Sequence, residues 1–292
     1  MEKDFLSIIT VNFNGGKYLD YFLKSIILYP PPIPYEVIVV DNASKDFSFE
    51  KAKKKYKNFL FIKSKKNRGY GGGCNLGIKY AKGNIIIFSN PDILLFPNTF
   101  KNLLEEIKKD EKVGIIGPKL LNPDGSFQPS CRRYPRFKYL LFGRRSFLTK
   151  YFRNNPITRE FMYMDLKENK DGKVSVESLM GAFIMMKRKV YEEVNGFDEN
   201  FFLHAEDTDL CYRIKNKGYE VYYYPNASVI HYHGESRKYL GIKSIYFLRK
   251  SIYIFFKKHY KLNIFKKFIL TFGLILGLGF NYFTHIFGKK EY

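Results

Sequence analysis

Cysteine is scarce in this 292-residue chain, with only Cys74, Cys131 and Cys211, far apart. They give neither zinc-ligand spacing nor an even disulfide set, so reduced thiols in a cytosolic compartment are expected. Acidic residues are also short: 28 against 50 Lys and Arg, a net charge of +22. No low-complexity stretch occurs, and 45% hydrophobic and 18% aromatic content exclude a disordered chain. The opening Met-Glu-Lys-Asp lacks the basic start, apolar core and cleavage site of a signal peptide, so none is expected. No Gly-Lys-Ser/Thr phosphate loop appears, and no helix-turn-helix, zinc or RNA-binding signature.

What is present is unevenly spread. From Ser236 onward, twelve Lys or Arg face Glu291 alone, which is half of the net charge in the last fifth of the chain. A localised cationic tail calls for an anionic partner, either nucleic acid or a phospholipid surface. The length allows a sizeable core, as one large domain or one domain plus an appendage.

Short β-branched runs at 6–11, 36–40, 59–62, 85–88 and 113–116 alternate with helical periodicity at 18–28, 49–56, 75–81 and 99–108. Apolar strands alternating with helices predict an α/β fold, a mostly parallel sheet covered on both faces, with ligands beyond the carboxyl strand ends. Asn-Pro-Asp-Gly at 122–125 reads as a hairpin turn, and the basic stretch 132–136 follows. Later signals are a regular segment at 174–187, a helix from near Ala205 to before Gly218, and two strands at 220–224 and 228–231. Beyond Gly241 the chain is aromatic, basic and helical in pattern.

Four places could carry chemistry. Asp41 ends the second strand, where it could accept from a nucleobase or ribose, or equally make an Asx turn or helix cap. Between Asn67 and Asn75, four glycines in five positions permit close backbone approach, and the helix start after them suits a diphosphate. Cys74 stands where the dinucleotide fingerprint needs its third glycine. Asp92, after Asn90-Pro91, could hold Mg²⁺ or Mn²⁺, or simply shape the turn before the next helix. Glu206, Asp207 and Asp209 crowd one helical turn. They could complement the helix dipole, or the apolar approach through Phe197, Phe201, Phe202 and Leu203 could raise a carboxylate pKa to suit a general base. His231, ending the last core strand, could be a further metal ligand, though a lone histidine is more often structural.

Taken together, these motifs resemble family 2 glycosyltransferases with the GT-A fold, particularly the rhamnosyltransferase-like branch that builds bacterial and archaeal surface polysaccharides. The likeness runs from Leu6 to about Ser236 through Ser7-Ile-Ile-Thr-Val-Asn-Phe-Asn14, Val40-Asp-Asn-Ala-Ser44, Asn67 to Asn75, Asn90-Pro-Asp92, Gly181-Ala182, Gly196-Phe-Asp-Glu199, Glu206-Asp207 and His231. It implies a catalytic domain over 1–236, with a nucleotide-binding half (1–120) and an acceptor-binding half (121–236), followed by a tail over 237–292. The reaction implied is inverting transfer from a dTDP-, UDP- or GDP-sugar to a glycan or polyprenyl-diphosphate-linked acceptor, with a divalent metal. Asp207 would be the base, and Asp92 and His231 the metal contacts. The donor would meet Thr10, Asn12, Asn14, Asp41, Asn42, Ser44, Asn67, Gly69, Tyr70, Gly71, Asn75, Asn90 and Gly181. Arg132, Arg133, His204 and Glu206 fall on the acceptor side. Three departures stand out. Asn90 replaces the first carboxylate of the metal motif, His204 replaces an aromatic residue, and Ser178 stands where many relatives carry Trp.

Residues 268–287 carry no charged side chain, only Thr271, Asn281, Thr284 and His285 being overtly polar. They are a weak candidate for a bilayer span and at least as good an interfacial helix on anionic headgroups, at the cytoplasmic face of the membrane. The alternative packs this helix on the catalytic domain, or on a second copy in a homodimer. Two rival functions remain, a nucleic-acid-binding protein without catalysis, judged unlikely for want of a signature, and a glycoside hydrolase with paired carboxylates.

Overall fold

The computed structural model describes residues 4–142, 155–167, 169, 172–232, 241 and 243–287. The expected boundary near Ser236 lies outside them, as do the tail cations Arg237, Lys238, Lys289 and Lys290 and the side chains of Asn281, Thr284 and His285.

Four strands make the parallel half of the main sheet: β1 (Leu6–Asn12), β2 (Tyr35–Asp41), β3 (Leu60–Lys63) and β4 (Ile85–Ser89), in spatial order β3-β2-β1-β4. Alternate residues explain why these runs are apolar throughout. Ile8, Val37, Val39 and Ile87 face one core, and Ile9, Ile38, Val40 and Ile86 face the other. Both faces are covered, as parallel strands require. Helices α1 (Gly16–Leu28), α2 (Ser48–Lys55) and α4 (Thr99–Lys109) lend apolar residues to the first core, and α3 (Gly69–Ile78) packs on the second. The strand order reverses between β1 and β4, which opens a crevice beyond their carboxyl ends.

Beyond β4 the sheet becomes mixed. Strand Phe183–Lys187 lies antiparallel between β4 and β6 (Val113–Leu121). Strand Glu220–His231 runs parallel to β6, and the short β5 (Ile93–Leu95) closes the edge antiparallel to it. The expected turn at 122–125 forms, Asn122 and Ser126 closing a hairpin from β6 to β7 (Phe127–Gln128).

Two local readings need correction. The glycine segment is not a loop before a helix; α3 begins at Gly69 and runs through it. Glycine is a poor helix former, but here each Cα presses on a neighbour. A Cβ on Gly73 would lie 2.5 Å from Val11 Cγ1, and one on Gly71 2.9 Å from Phe197 Cβ. Close helix–sheet packing sets the glycines. Residues 220–224 and 228–231 are likewise one strand, not two, because the register shifts between Tyr224 and Ser228 and carries Pro225 through as a bulge. Proline lacks a ladder donor and is tolerated at such a bulge.

The last two helices fold back onto the preceding residues. Helix Lys243–His259 donates Ser251 Oγ to the Leu203 carbonyl at 2.9 Å and stacks Phe247 on Phe202 at 4.5 Å. Helix Ile264–Phe287 buries Leu270 and Leu274 against Phe256. Its Phe265, Phe268, Ile269, Phe272, Ile275 and Leu276 are exposed. No described helix is long and apolar enough to cross a membrane.

Candidate active site

The crevice holds a cavity of about 360 Å³. On one side the β4 end contributes Asn90, Pro91 and Asp92; on another, Asp207 starts helix Glu206–Asn216. Adjacent residues tie the two together. Gly181 N–H donates to Asp207 Oδ2 at 2.8 Å, while the Ala182 carbonyl accepts from Asn90 N at 2.8 Å.

Strand pairing brings Asp92 to His231. His231, at the end of strand Glu220–His231, pairs with Ile93 of β5, and Tyr232 N donates to the Asp92 carbonyl at 2.9 Å. Asp92 Oδ1 then lies 3.3 Å from His231 Nε2. It is buried, and that contact lacks hydrogen-bond geometry, so the oxygen has no hydrogen-bond partner. Gln128 sets the imidazole tautomer. Its Nε2 donates to the His231 carbonyl at 3.1 Å and to Asn122 Oδ1 at 2.8 Å, both acceptors only. Oε1 therefore faces His231 Nδ1 at 2.6 Å, and Nδ1 must carry the hydrogen. In the neutral ring Nε2 is then the ligating nitrogen, turned toward Asp92 and, at 3.4 Å, toward Asn90 Nδ2. Such an outer partner is what orients a metal-binding histidine. Gln128 was not legible beforehand; a lone glutamine in a hairpin carries no signal until the register is known.

The three crowded acids have separate fates. Asp209 is pinned by Arg213 Nε at 2.7 Å, Lys258 Nζ at 2.8 Å and His259 Nε2 at 2.7 Å, a structural network that reaches into the tail. Glu206 is buried, Oε2 without a hydrogen bond, and burial, with the adjacent Asp207 charge second, pushes its carboxyl up to about 8. Its burial favours the neutral form. Asp207 is half-buried at the cavity wall. Burial raises its pKa against the opposing pull of the Gly181 and Thr208 donors and the Arg132 charge. A carboxylate raised in this way is a better proton acceptor than a solvated one.

The other expected donor residues divide. Asn42, Asn67, Gly69, Tyr70, Asn90 and Gly181 line the cavity. Thr10, Asn12, Asn14, Asp41, Ser44, Gly71 and Asn75 do not. Asp41 is fully buried, accepting from Asn12 Nδ2 at 3.1 Å and Ser44 N at 3.1 Å. Ser44 Oγ in turn accepts from Asn14 N at 3.0 Å. Asn75 clamps the 196–199 turn, donating to the Phe197 carbonyl at 2.9 Å. On the acceptor side Arg132, Arg133, His204 and Glu206 all line the cavity, with Arg136 and Arg249, which the sequence did not single out. Arg133 and Arg136 share Glu177, and His204 Nε2 meets Ser244 Oγ of the tail at 3.2 Å. All three cysteines are free and buried.

A family model described as glycosyl transferase family 2 matches residues 7–194, well over half of the chain. The chain belongs to this family. This glycosyltransferase also matches, over residues 164–239, a family described as the N-terminal domain of galactosyltransferase. It is 28% identical over 263 residues to an N-acetylglucosaminyl-diphospho-decaprenol L-rhamnosyltransferase of Mycobacterium tuberculosis, covering 86% of this chain and 84% of that protein. Rhamnosyltransferase WbbL of Escherichia coli is 26% identical over 185 residues, 59% of this chain and 64% of that protein. A solved mannosyltransferase from Pyrobaculum calidifontis, in complex with GDP-Man and Mn²⁺, is similar in fold at a TM-score of 0.57 and 16% identity, covering 99% of this chain and 77% of that one. The GT-A fold and the glycosyltransferase class therefore stand, and the nucleic-acid-binding and glycoside-hydrolase readings fall away.

Among the described residues no three His, Cys, Asp or Glu side chains converge on one point. Asp92 and His231 still fit a divalent cation: one buried carboxylate oxygen without a hydrogen bond, beside an imidazole nitrogen of fixed tautomer. Oxygen and imidazole donors suit Mg²⁺ or Mn²⁺, ions that complete their shells with phosphate and water.

Proposed function

We propose that this glycosyltransferase moves a sugar, rhamnose in the first instance, from a nucleoside-diphosphate donor to a glycan or polyprenyl-diphosphate-linked acceptor, with inversion at the anomeric carbon. The observation that carries the reading is the placement of Asp207 and the Asp92–His231 pair on one cavity, coupled through the adjacent residues Gly181 and Ala182. Asp207 takes the acceptor hydroxyl proton as that oxygen attacks the anomeric carbon, and the nucleoside diphosphate leaves from the opposite face. Asp92 and His231 would hold a divalent metal, which supplies charge stabilisation to the leaving diphosphate. Asn42, Asn67 and Tyr70 border the space for the nucleotide.

The relatives' names support the choice of sugar and of a lipid-linked acceptor. We place the enzyme on the cytoplasmic face of the membrane, with the exposed apolar face of Ile264–Phe287 in the interface and Lys266 and Lys267 among anionic headgroups. Thermal-shift screening of dTDP-, UDP- and GDP-sugars with Mg²⁺ and Mn²⁺, followed by transfer assays with the stabilising donor, tests the reading. Metal-dependent stabilisation by one nucleotide class and an inverted product support it. Transfer with retained configuration would overturn the single-displacement mechanism.

A further inference from the structure

Arg249 stands apart from the other arginines on the cavity. Arg133 and Arg136 share the carboxylate of Glu177, at 3.1 Å and 2.8 Å. Arg132 spends its guanidinium on the carbonyls of Cys131 and Pro129. Arg249, from helix Lys243–His259, has no acidic partner among the described residues, and its buried Nε has no hydrogen bond. Burial alone drags its pKa down, the mark of a cation desolvated without a counter-charge.

Its position is built rather than accidental. Of the three glycines in the last helix, Gly273 and Gly279 meet nothing within 4 Å, whereas a Cβ on Gly277 would lie 2.8 Å from Arg249 Cζ. The guanidinium is thus seated on a bare stretch of helix backbone. Around it the cavity wall is apolar, formed by Leu140, Leu248 and Ile252. A desolvated, uncompensated guanidinium beside an aliphatic wall matches an anionic group joined to a hydrocarbon chain.

We propose that Arg249 receives the diphosphate of a polyprenyl-diphosphate acceptor, with Leu140, Leu248 and Ile252 taking its first isoprene units. This rests on the glycosyltransferase reading above and makes the tail, outside the 7–194 family match, part of the acceptor site. Because Arg249 makes no ion pair among the described residues, its removal leaves the fold intact, which the thermal midpoint verifies.

The test uses the full chain in chelator, so that no metal-bridged diphosphate forms at Asp92. Calorimetric titration with farnesyl diphosphate, farnesol and inorganic pyrophosphate separates the lipid from the free anion. Wild type should bind farnesyl diphosphate more tightly than either fragment. Arg249→Gln should weaken that binding by about tenfold to a hundredfold, the loss expected of a charge-assisted contact. Arg249→Lys should recover part of it, and nucleotide-sugar stabilisation with Mn²⁺ should be unchanged in both. Equal farnesyl diphosphate binding in wild type and Arg249→Gln overturns the proposal. So does a loss confined to nucleotide-sugar binding, which would assign Arg249 to the donor. Undiminished transfer by Arg249→Gln to a lipid-diphosphate-linked glycan would also contradict it while leaving the transferase reading intact, whereas absence of transfer by wild type to any acceptor would fail that reading instead.

Discussion

The amide of Gly181 holds Asp207 Oδ2 at 2.8 Å, and little room remains around that bond. A Cβ added at Gly181 would lie 3.3 Å from Asp207 Cβ and 3.2 Å from Tyr70 Cε1. Gly181→Ala should therefore displace the carboxylate slightly without unfolding the sheet. Transfer should fall by about tenfold to a hundredfold, as small misplacements of reacting groups do, with a thermal midpoint close to wild type. Unaltered turnover would mean that this contact does not set the position of Asp207.

Gln128 makes a second, independent test of the site. Gln128→Leu removes the acceptor that holds the His231 tautomer. Mn²⁺-dependent donor binding should weaken by about tenfold to a hundredfold, the usual effect of losing such an outer partner. Titration of Mn²⁺ at fixed donor measures it, and an unchanged metal requirement would remove His231 from the metal site.

How much of this was legible beforehand depended on the range of the forces involved. The strands ending at Asp41 and Ser89 were readable because both faces of each are buried, leaving continuous apolar runs. Residues 69–73 were misread because glycine's weak helix propensity is overridden by contacts with Val11 and Phe197, far off in sequence. Spacing alone did not separate Asp209 from Asp207, since the Lys258 and His259 that claim Asp209 come from the tail, about fifty residues later. Arg249 was counted only as tail charge. Its meaning appears once the helix carrying it is seen against the cavity.

Glu206 gives the protein a pH signature. Its folded pKa of about 8 lies above the ordinary glutamate value of 4.5, so its contribution to stability is complete below the lower value and is lost as pH rises toward the upper. Between pH 5 and 8 the unfolded chain has released this proton and the folded one has not. Glu206→Gln should therefore show a shallower fall in thermal midpoint than wild type from about pH 5 to 8. Parallel curves would mean that Glu206 titrates normally.

The exposed face of helix Ile264–Phe287 predicts interfacial binding. Replacing Phe265, Phe268 and Phe272 together with Ser should abolish sedimentation with anionic phospholipid vesicles, while nucleotide-sugar stabilisation persists. Raised salt should weaken wild-type binding to those vesicles, because Lys266 and Lys267 lie beside the aromatic face. Vesicle binding that survives the triple substitution would put the membrane contact elsewhere.

The central claim is that Asp207 accepts the acceptor's proton. Asp207→Asn keeps the size of the side chain and an oxygen for the Gly181 amide, but removes the basicity. Comparing its transfer rate with its donor affinity tests the claim directly. The account predicts a rate loss of about 10²–10⁴-fold, the usual contribution of general-base catalysis, with nucleotide-sugar affinity close to wild type. A variant that still transfers at the wild-type rate would contradict it, as would one that loses donor binding in the same proportion as activity.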